Sequence, residues 1–493
     1  MKKIITLLSF VFITAFLFAQ NEVDAFRFSY INYLGTARSN AMANAFGALG
    51  ADMSTASTNP AGIGIYKHSE FSFTPNFIMN SCTSNFAGES ELAPTKLGLS
   101  FSNLGIVFSK TNSDKNIKYF NFSFGYNRTN NLKENTYISG INNKGSMLDY
   151  FMLNANGNTP DELDKYSTYG AWDTYLIDTL TGDPTKYTNA LWWTQTGNNT
   201  PKYGERQTRI QQISGGAGEY FLNGAVNYKD MLYLGLTMGI QTFKYESHIQ
   251  YTESDFVDNS DLNHFTYNED QIDEGTGVNI KAGLIFKPVK FFRIGAAVHS
   301  PTYFTINDWY KTKIHSYWNS ADSQGKSDYD YKSGDDYDRF KYNLLTPFRL
   351  MADAGFVLGK TALIDFGYEY LDYSTMQLSS SSYFFNDENK NIRDIFTATS
   401  NYRIGGEVRF GPMSLRAGYA LFGNPFKDAS INFSKSQISA GIGFRAENFY
   451  VDLAYSQFLR SYDQYMYNGY SDEPVPKLNF NDGNISITLG FAM

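Results

Sequence analysis

One cysteine, Cys82, stands in 493 residues, so no disulfide can form within the chain. Histidine is almost as scarce: His68, His248, His264, His299 and His315 are scattered, and none has the spacing of a metal pair or a place beside Cys82. No metal and no cofactor is expected from them. A basic footprint is missing too, because 41 Lys and Arg against 49 Asp and Glu leave a net charge of −8, which speaks against a nucleic-acid partner. No Ser/His/Asp grouping can be assembled, so an enzyme is not expected. Past the first residues the chain also lacks any apolar run of about 20 residues, the length of a membrane-crossing helix. The one apolar run, Ile4–Phe18, follows Lys2 and Lys3 and leads into Ala19 and Gln20. That is the layout of a secretory signal peptide, expected over residues 1–19, and Cys82 is not placed for lipid attachment at the start of the mature chain.

What the chain does have is alternation. In Ile117–Thr129, Phe120, Phe122, Phe124 and Tyr126 share one face, and Asn121, Ser123, Gly125 and Asn127 share the other. Gly277–Lys287 and Gly483–Met493 repeat the pattern. About fourteen such tracts are expected as strands. Tight links, Lys229-Asp230, Pro288-Val289, Gly359-Lys360, Gly411-Pro412 and Ala446-Glu447, alternate with long polar loops, the largest over residues 142–204. Short turns on one rim and long loops on the other predict an outer-membrane β-barrel over residues 69–493. The aromatic content of 17% suits the girdles of such barrels. A secreted sandwich would also alternate, but sandwich domains run to about 100 residues, and strands this long with loops this uneven fit them poorly.

Two other patterns carry less. Asp328-x-Asp330 followed by Gly334-Asp335-Asp336 resembles a calcium loop with its glycine one place late, and a solvated acidic loop is the plainer reading. Gly215-Gly216-Ala217-Gly218 lacks the strand-to-helix setting of a nucleotide loop and reads as a bulge in a strand.

Residues 20–68 break the alternation. Ala37–Gly50 is rich in small residues, with Ala41, Met42, Ala45, Phe46 and Leu49 at helical spacing, and Asp52 and the turn-forming run Asn59-Pro60-Ala61-Gly62 follow. A segment this apolar, ahead of a barrel, is expected to plug the lumen as a helical hatch, with Met42, Phe46 and Met53 as its apolar contacts.

On Gly35-Thr36-Ala37-Arg38-Ser39, Ala43-Asn44-Ala45-Phe46-Gly47-Ala48, Asp52 and Asn59-Pro60-Ala61-Gly62, the chain resembles the FadL/TodX-type transporters of long-chain fatty acids and hydrocarbons in outer membranes. Tyr402–Glu407 and Ser414–Tyr419 add weaker likeness. The resemblance spans nearly the whole mature chain. It implies an all-β barrel of about fourteen strands with the hatch inside, a monomer in outer-membrane lipid, and a hydrophobic small-molecule ligand. The ligand would be caught by outer loops, bound in the barrel and released sideways when the hatch moves. It would make Asn59, Pro60, Ala61 and Gly62 the gating turn, lying against an inward kink of the third strand, for which Gly125 is the candidate. A general porin or surface-binding barrel with a purely structural plug is the alternative. Arg293, Arg349, Arg403 and Arg416 are inward candidates for a carboxylate head, or partners of Glu369, Glu407 and Asp353. The terminal Met493 departs from the usual aromatic last residue, with Phe491 on the same face.

Overall fold

The computed structural model describes residues 22–112, 116–193, 202–257, 261–467 and 473–493. The expected signal peptide lies outside the described residues. Fourteen antiparallel strands form the wall of a closed transmembrane barrel. They are β1 (Glu70–Asn80), β2 (Lys96–Thr111), β3 (Ile117–Asn131), β4 (Glu205–Tyr228), β5 (Leu232–Ser254), β6 (Leu262–Val289) and β7 (Phe292–His299). Then come β8 (Arg349–Leu358), β9 (Ala362–Asp372), β10 (Ala398–Phe410), β11 (Met413–Phe422), β12 (Lys435–Arg445), β13 (Phe449–Asp463) and β14 (Lys477–Ala492). Each pairs with the next, and β14 returns to β1 with Leu489 opposite Phe73.

Alternation builds this wall because a strand points successive side chains to opposite faces. On β3, Phe120, Phe122 and Phe124 face outward at 46–48% exposure, while Asn121, Ser123 and Asn127 are buried inside. Leu234, Leu236, Met238 and Ile240 do the same on β5. Apolar side chains outside and amides inside are what a hydrocarbon solvent selects, and closure leaves no strand edge unpaired in it. Above Ile240 the outer face turns ionic: Lys244 Nζ lies 2.9 Å from Glu246 and 3.3 Å from Glu274. The apolar belt ends there, and β4 to β6 continue beyond it. At the other rim Lys229 and Asp230 both take positive φ, 56° and 53°, the backbone of a two-residue hairpin turn.

Two stretches that follow on in the wall, Lys290–Ile306 and Arg339–Leu358, are each broken at one level, by Pro301 and Pro347. Their outer parts, Tyr303–Trp318 and Asp338–Leu345, pair with each other, while the inner parts are β7 and β8. Proline donates no ladder bond, so the partner switch falls there. The described residues of the long loop expected over 142–204 form a packed cap. Its helix Met147–Ala155 and hairpin Ile177–Leu180/Asp183–Asn189 bury Leu148, Phe151, Ile177 and Tyr187 against Phe265 and Ile314. The acidic run is structured as well: Asp328–Lys332 is a strand, and Asp330 lies 3.4 Å from Lys313.

The lumen is filled by residues 22–68: α1 (Glu22–Ser29), α2 (Ala37–Ala41) and two short 3-10 turns, Met53–Ala56 and Pro60–Ile65. Each of the last three starts at a side-chain cap, Thr36, Asp52 or Asn59, whose oxygen accepts a backbone N–H of the first turn at 3.0–3.2 Å. Pro60 takes the first turn position, where its missing N–H costs nothing.

Candidate functional site

From Thr36 to Ile65 the hatch is tied to the wall by polar bonds on most sides. Arg38 Nε donates to Glu407 Oε2 at 3.0 Å, and Arg416 Nε donates to the same oxygen at 2.6 Å. Lys281, 1% exposed, pairs with Glu219 and donates to Ser57 O at 3.1 Å. Ser57 Oγ donates to Glu219 Oε1 at 2.8 Å, Thr237 Oγ1 to Ala56 O at 2.8 Å, and His299 Nε2 to Thr58 O at 2.7 Å. Of the four inward arginines, Arg349 and Arg403 share Glu369 at 2.9 and 2.7 Å, and Arg416 holds Glu407 and Asp452. Arg293 donates to Leu49 O at 2.6 Å. All four are engaged by protein groups.

Above this plug lies a cavity of about 420 Å³, within the ~300–1,000 Å³ typical of small-molecule sites. One side is the upper hatch, with Phe26, Arg27 and Tyr30. The wall contributes Ile213, Tyr245, Phe458 and Tyr462, and an outer loop adds Phe426, Ile431 and Phe433. Its charges are mostly matched: Arg460 lies 2.5 Å from Glu134 and 3.8 Å from Asp482, and Arg27 pairs with Asp24 while its guanidinium sits 4.4 Å from the Tyr245 ring centre. Lys435 Nζ sits 4.2 Å from the Phe458 ring centre. Burial pushes the Tyr30 phenol up to about 12, so at neutral pH it keeps its proton and can donate. Burial also raises the Glu22 carboxyl, which hydrogen-bonds Asn391.

The cavity reaches a break in the wall. β3 stops at Asn131, Leu132 and Lys133 are outside any ladder, and the chain resumes as Glu134–Asn142, paired with β4. β2 pairs with β3 only over Asn103–Thr111, so among the described residues no ladder joins its Lys96–Ser102 part to residues 128–133. Leu97 and Leu99, 75% and 69% exposed, flank this gap on the lipid side, and Gly98 faces the Lys133 side chain. Leu132 and Lys133 line the cavity. Inside, the upper hatch backs the gap: Asn32 N–H donates to Thr129 O at 2.7 Å, Leu34 N–H to Arg128 O at 3.0 Å, and Asn130 Nδ2 to Tyr30 O at 3.1 Å.

This placement differs from the sequence expectation in two respects. The kink expected at Gly125 is absent there: Gly125 pairs in register with Gly105 and Phe221 inside a continuous stretch of β3. The interruption falls instead at Leu132-Lys133, and Gly125 serves a close approach, since a Cβ there would meet the Phe221 ring. The turn Asn59-Pro60-Ala61-Gly62 lies mainly against β5 and β6, with Asn223 of β4 donating to Pro60 O at 3.3 Å, and β3 meets it at the next residue, where Asn121 Nδ2 donates to Ile63 O at 2.7 Å. Asn59 Nδ2 donates to Gly47 O at 2.7 Å and Leu284 O at 3.2 Å. Gly235 and Gly283 allow this approach, because a Cβ on either would collide with Pro60 or Asn59. Met42 and Phe46 pack with Leu49 and Leu363, and Met53 packs separately with Val107 and Phe221. None of these residues lines the large cavity. The hatch residues that do line it all come from Glu22–Leu34, Phe26 and Tyr30 among them, and the rest of the lining is wall and outer loop.

No protein-family model matches the chain, and no curated protein matches it. Solved structures do. The toluene transporter TodX of P. putida superposes with a TM-score of 0.53 at 10% identity, over 93% of this chain and 98% of that one. A FadL homologue of Pseudomonas aeruginosa does so with a TM-score of 0.52 at 13% identity, again over 93% and 98%. With both chains covered almost end to end, the protein has the fold of the FadL/TodX-type barrels.

Proposed function

We propose that the protein carries hydrophobic compounds, long-chain fatty acids or hydrocarbons, passively into the outer membrane. The observation that carries this reading is the cavity itself: an aromatic and aliphatic chamber, closed below by the plug, that touches the one gap described in the barrel wall. A buried CH₂ gains about 0.8 kcal/mol on leaving water, so an alkyl chain would enter such a chamber readily. Leaving it requires the chamber to change shape. Residues 20–68 act as the hatch, in two parts: Asn59–Gly62 anchor the lower part to β5 and β6, and Glu22–Leu34 move. As Asn32 and Leu34 leave Thr129 and Arg128, the gap beside Lys133 opens and the cargo passes sideways into lipid. The transporter identity of the structural neighbours supports the same reading. The barrel acts as a monomer, delivered by the signal peptide over 1–19, and no enzymatic step is involved. The alternative, a general porin or surface-binding barrel with a purely structural plug, predicts uptake that does not depend on the cavity.

The test is uptake of a labelled long-chain fatty acid, and separately of toluene, by cells with the protein, cells without it, and cells carrying Leu132→Trp with Phe433→Trp to fill the cavity. Uptake should need the protein and fall in the filled variant while that variant stays in the outer membrane. Undiminished uptake through the filled variant would sink the reading.

A further inference from the structure

We infer that the cavity selects an amphiphile whose head group both donates and accepts hydrogen bonds without a full charge, an acyl amide or a hydroxylated chain, in preference to a bare hydrocarbon. This rests on the reading that the cavity holds the cargo. Most of the ionic groups around it already have ionic partners, Arg460 with Glu134 and Asp482, and Arg27 with Asp24, while Lys435 sits against the Phe458 ring. What remains is a set of buried neutral groups with no protein partner among the described residues. Asn484, on β14 and 3% exposed, has neither its Oδ1 nor its Nδ2 engaged. Asn80, on β1 and 4% exposed, donates from Nδ2 to Asp482 Oδ1 at 2.9 Å, which orients the amide and leaves its own Oδ1 buried and unpaired. The Tyr30 hydroxyl is likewise buried and unpaired.

All three side chains line the same cavity. Asn484 stands opposite Ile78, so it and Asn80 are diagonal neighbours on the inward face, about 7–8 Å apart at the backbone. One small head group can bridge side chains at that spacing. The set offers two acceptors, Asn80 Oδ1 and Asn484 Oδ1, and two donors, Asn484 Nδ2 and Tyr30 O–H. A hydrocarbon would bury all four against carbon. A carboxylate could take the two donors and the Lys435 ammonium, but would set its oxygens against two acceptors. An amide or hydroxyl head can answer both kinds.

The experiment uses the full mature chain in detergent micelles and compares dodecanamide, dodecanoate and dodecane at neutral pH. Dodecanamide should bind about tenfold or more tighter than dodecane, and tighter than dodecanoate. Asn484→Leu and, separately, Tyr30→Phe should erase that advantage without weakening dodecane; Tyr30→Phe removes one oxygen and keeps the ring, so it guards against a folding artefact. Equal affinities for all three probes, or a preference for dodecanoate that survives Asn484→Leu, would overturn the head-group inference and leave the cavity as the cargo site. Binding that persists in the variant filled by Leu132→Trp and Phe433→Trp would overturn the cavity itself, and the inference with it.

Discussion

Residues 36–65 and residues 22–34 share one lumen but are held in it by different forces. The lower part is bonded through buried ion pairs and amide-to-carbonyl contacts, Arg38 with Glu407, Lys281 with Glu219 and Ser57, Asn59 with Leu284. The upper part is bonded through its backbone at Ser29, Tyr30, Asn32 and Leu34, but its side chains lean on aromatic faces. Phe28 stacks on Phe243 at 4.1 Å, and Phe26 meets Tyr373, Phe396 and Phe433 at 5.0–5.4 Å. Polar bonds in a buried site are directional, and breaking one leaves a desolvated charge behind, so the lower hatch has one arrangement and a steep penalty for leaving it. The hydrophobic part of an aromatic contact is non-directional and can be re-made by another apolar surface, such as an alkyl chain entering beside Phe26. The part that can exchange protein contacts for ligand contacts is the part that lines the cavity and backs the gap.

The sharpest way to break this contrast is to remove the centre of the lower network. Glu407→Ala leaves the guanidiniums of Arg38, Arg409 and Arg416 facing one another without their shared carboxylate. The expected loss is about 3–5 kcal/mol, read as a lower urea midpoint for the purified barrel; an unchanged midpoint would mean the plug is not held electrostatically. Next in size is Phe26→Ala, which costs on the order of 3 kcal/mol of packing, but locally. Amide exchange over residues 22–34 should accelerate while the urea midpoint stays put. A midpoint that falls as far as in Glu407→Ala would erase the distinction between the two parts.

A covalent tether sharpens the same comparison. In a Cys82→Ser background, Asn32→Cys with Thr129→Cys would lock the upper part at the gap, at a place where the backbones are already bonded at 2.7 Å. Ala56→Cys with Thr237→Cys would lock the lower part, where Thr237 already donates to Ala56 O. Oxidation of the first pair should cut uptake about tenfold, equivalent to ~1.4 kcal/mol, with recovery on reduction, and oxidation of the second should change nothing. Equal inhibition by both would show that the hatch moves as one body.

The barrel was legible in the sequence because its rule is local: a period of two survives wherever one face meets lipid and the other a polar lumen. Phe120 to Tyr126 and Leu234 to Ile240 announce their faces without any knowledge of their partners. The interruptions depend on partners. Leu132 and Lys133 continue the alternation of β3 well enough to pass as strand, and only the failure of β2 to reach them makes a gap. Pro301 and Pro347 were visible, but their shared level in the wall was not. The cap hid for a related reason, since Met147–Ala155 shows an apolar helix only in company with Phe265 and Ile314, more than a hundred residues on. At the hatch, Asn59-Pro60 correctly marked a tight capped turn. It did not mark the cavity, because a turn motif reports backbone geometry and not what the side chains above it enclose.

The smallest effect is expected at that turn. Asn59→Ala with Pro60→Ala removes the cap on Ala61 N–H and the two bonds from Nδ2 to Gly47 and Leu284, while the ion pairs of Arg38 and Lys281 stay intact. Loss of a cap costs roughly 0.5–2 kcal/mol, well below the Glu407 penalty. If this turn only anchors the lower hatch, the urea midpoint should fall slightly and uptake should stay within about twofold of wild type, because distant sites with no shared partners act nearly independently. If the turn gates, uptake should collapse although the midpoint barely moves, and the moving element would then be the lower hatch rather than Glu22–Leu34. The two readouts separate because stability reports how tightly Asn59 is held, whereas uptake reports whether its release is part of the transport step.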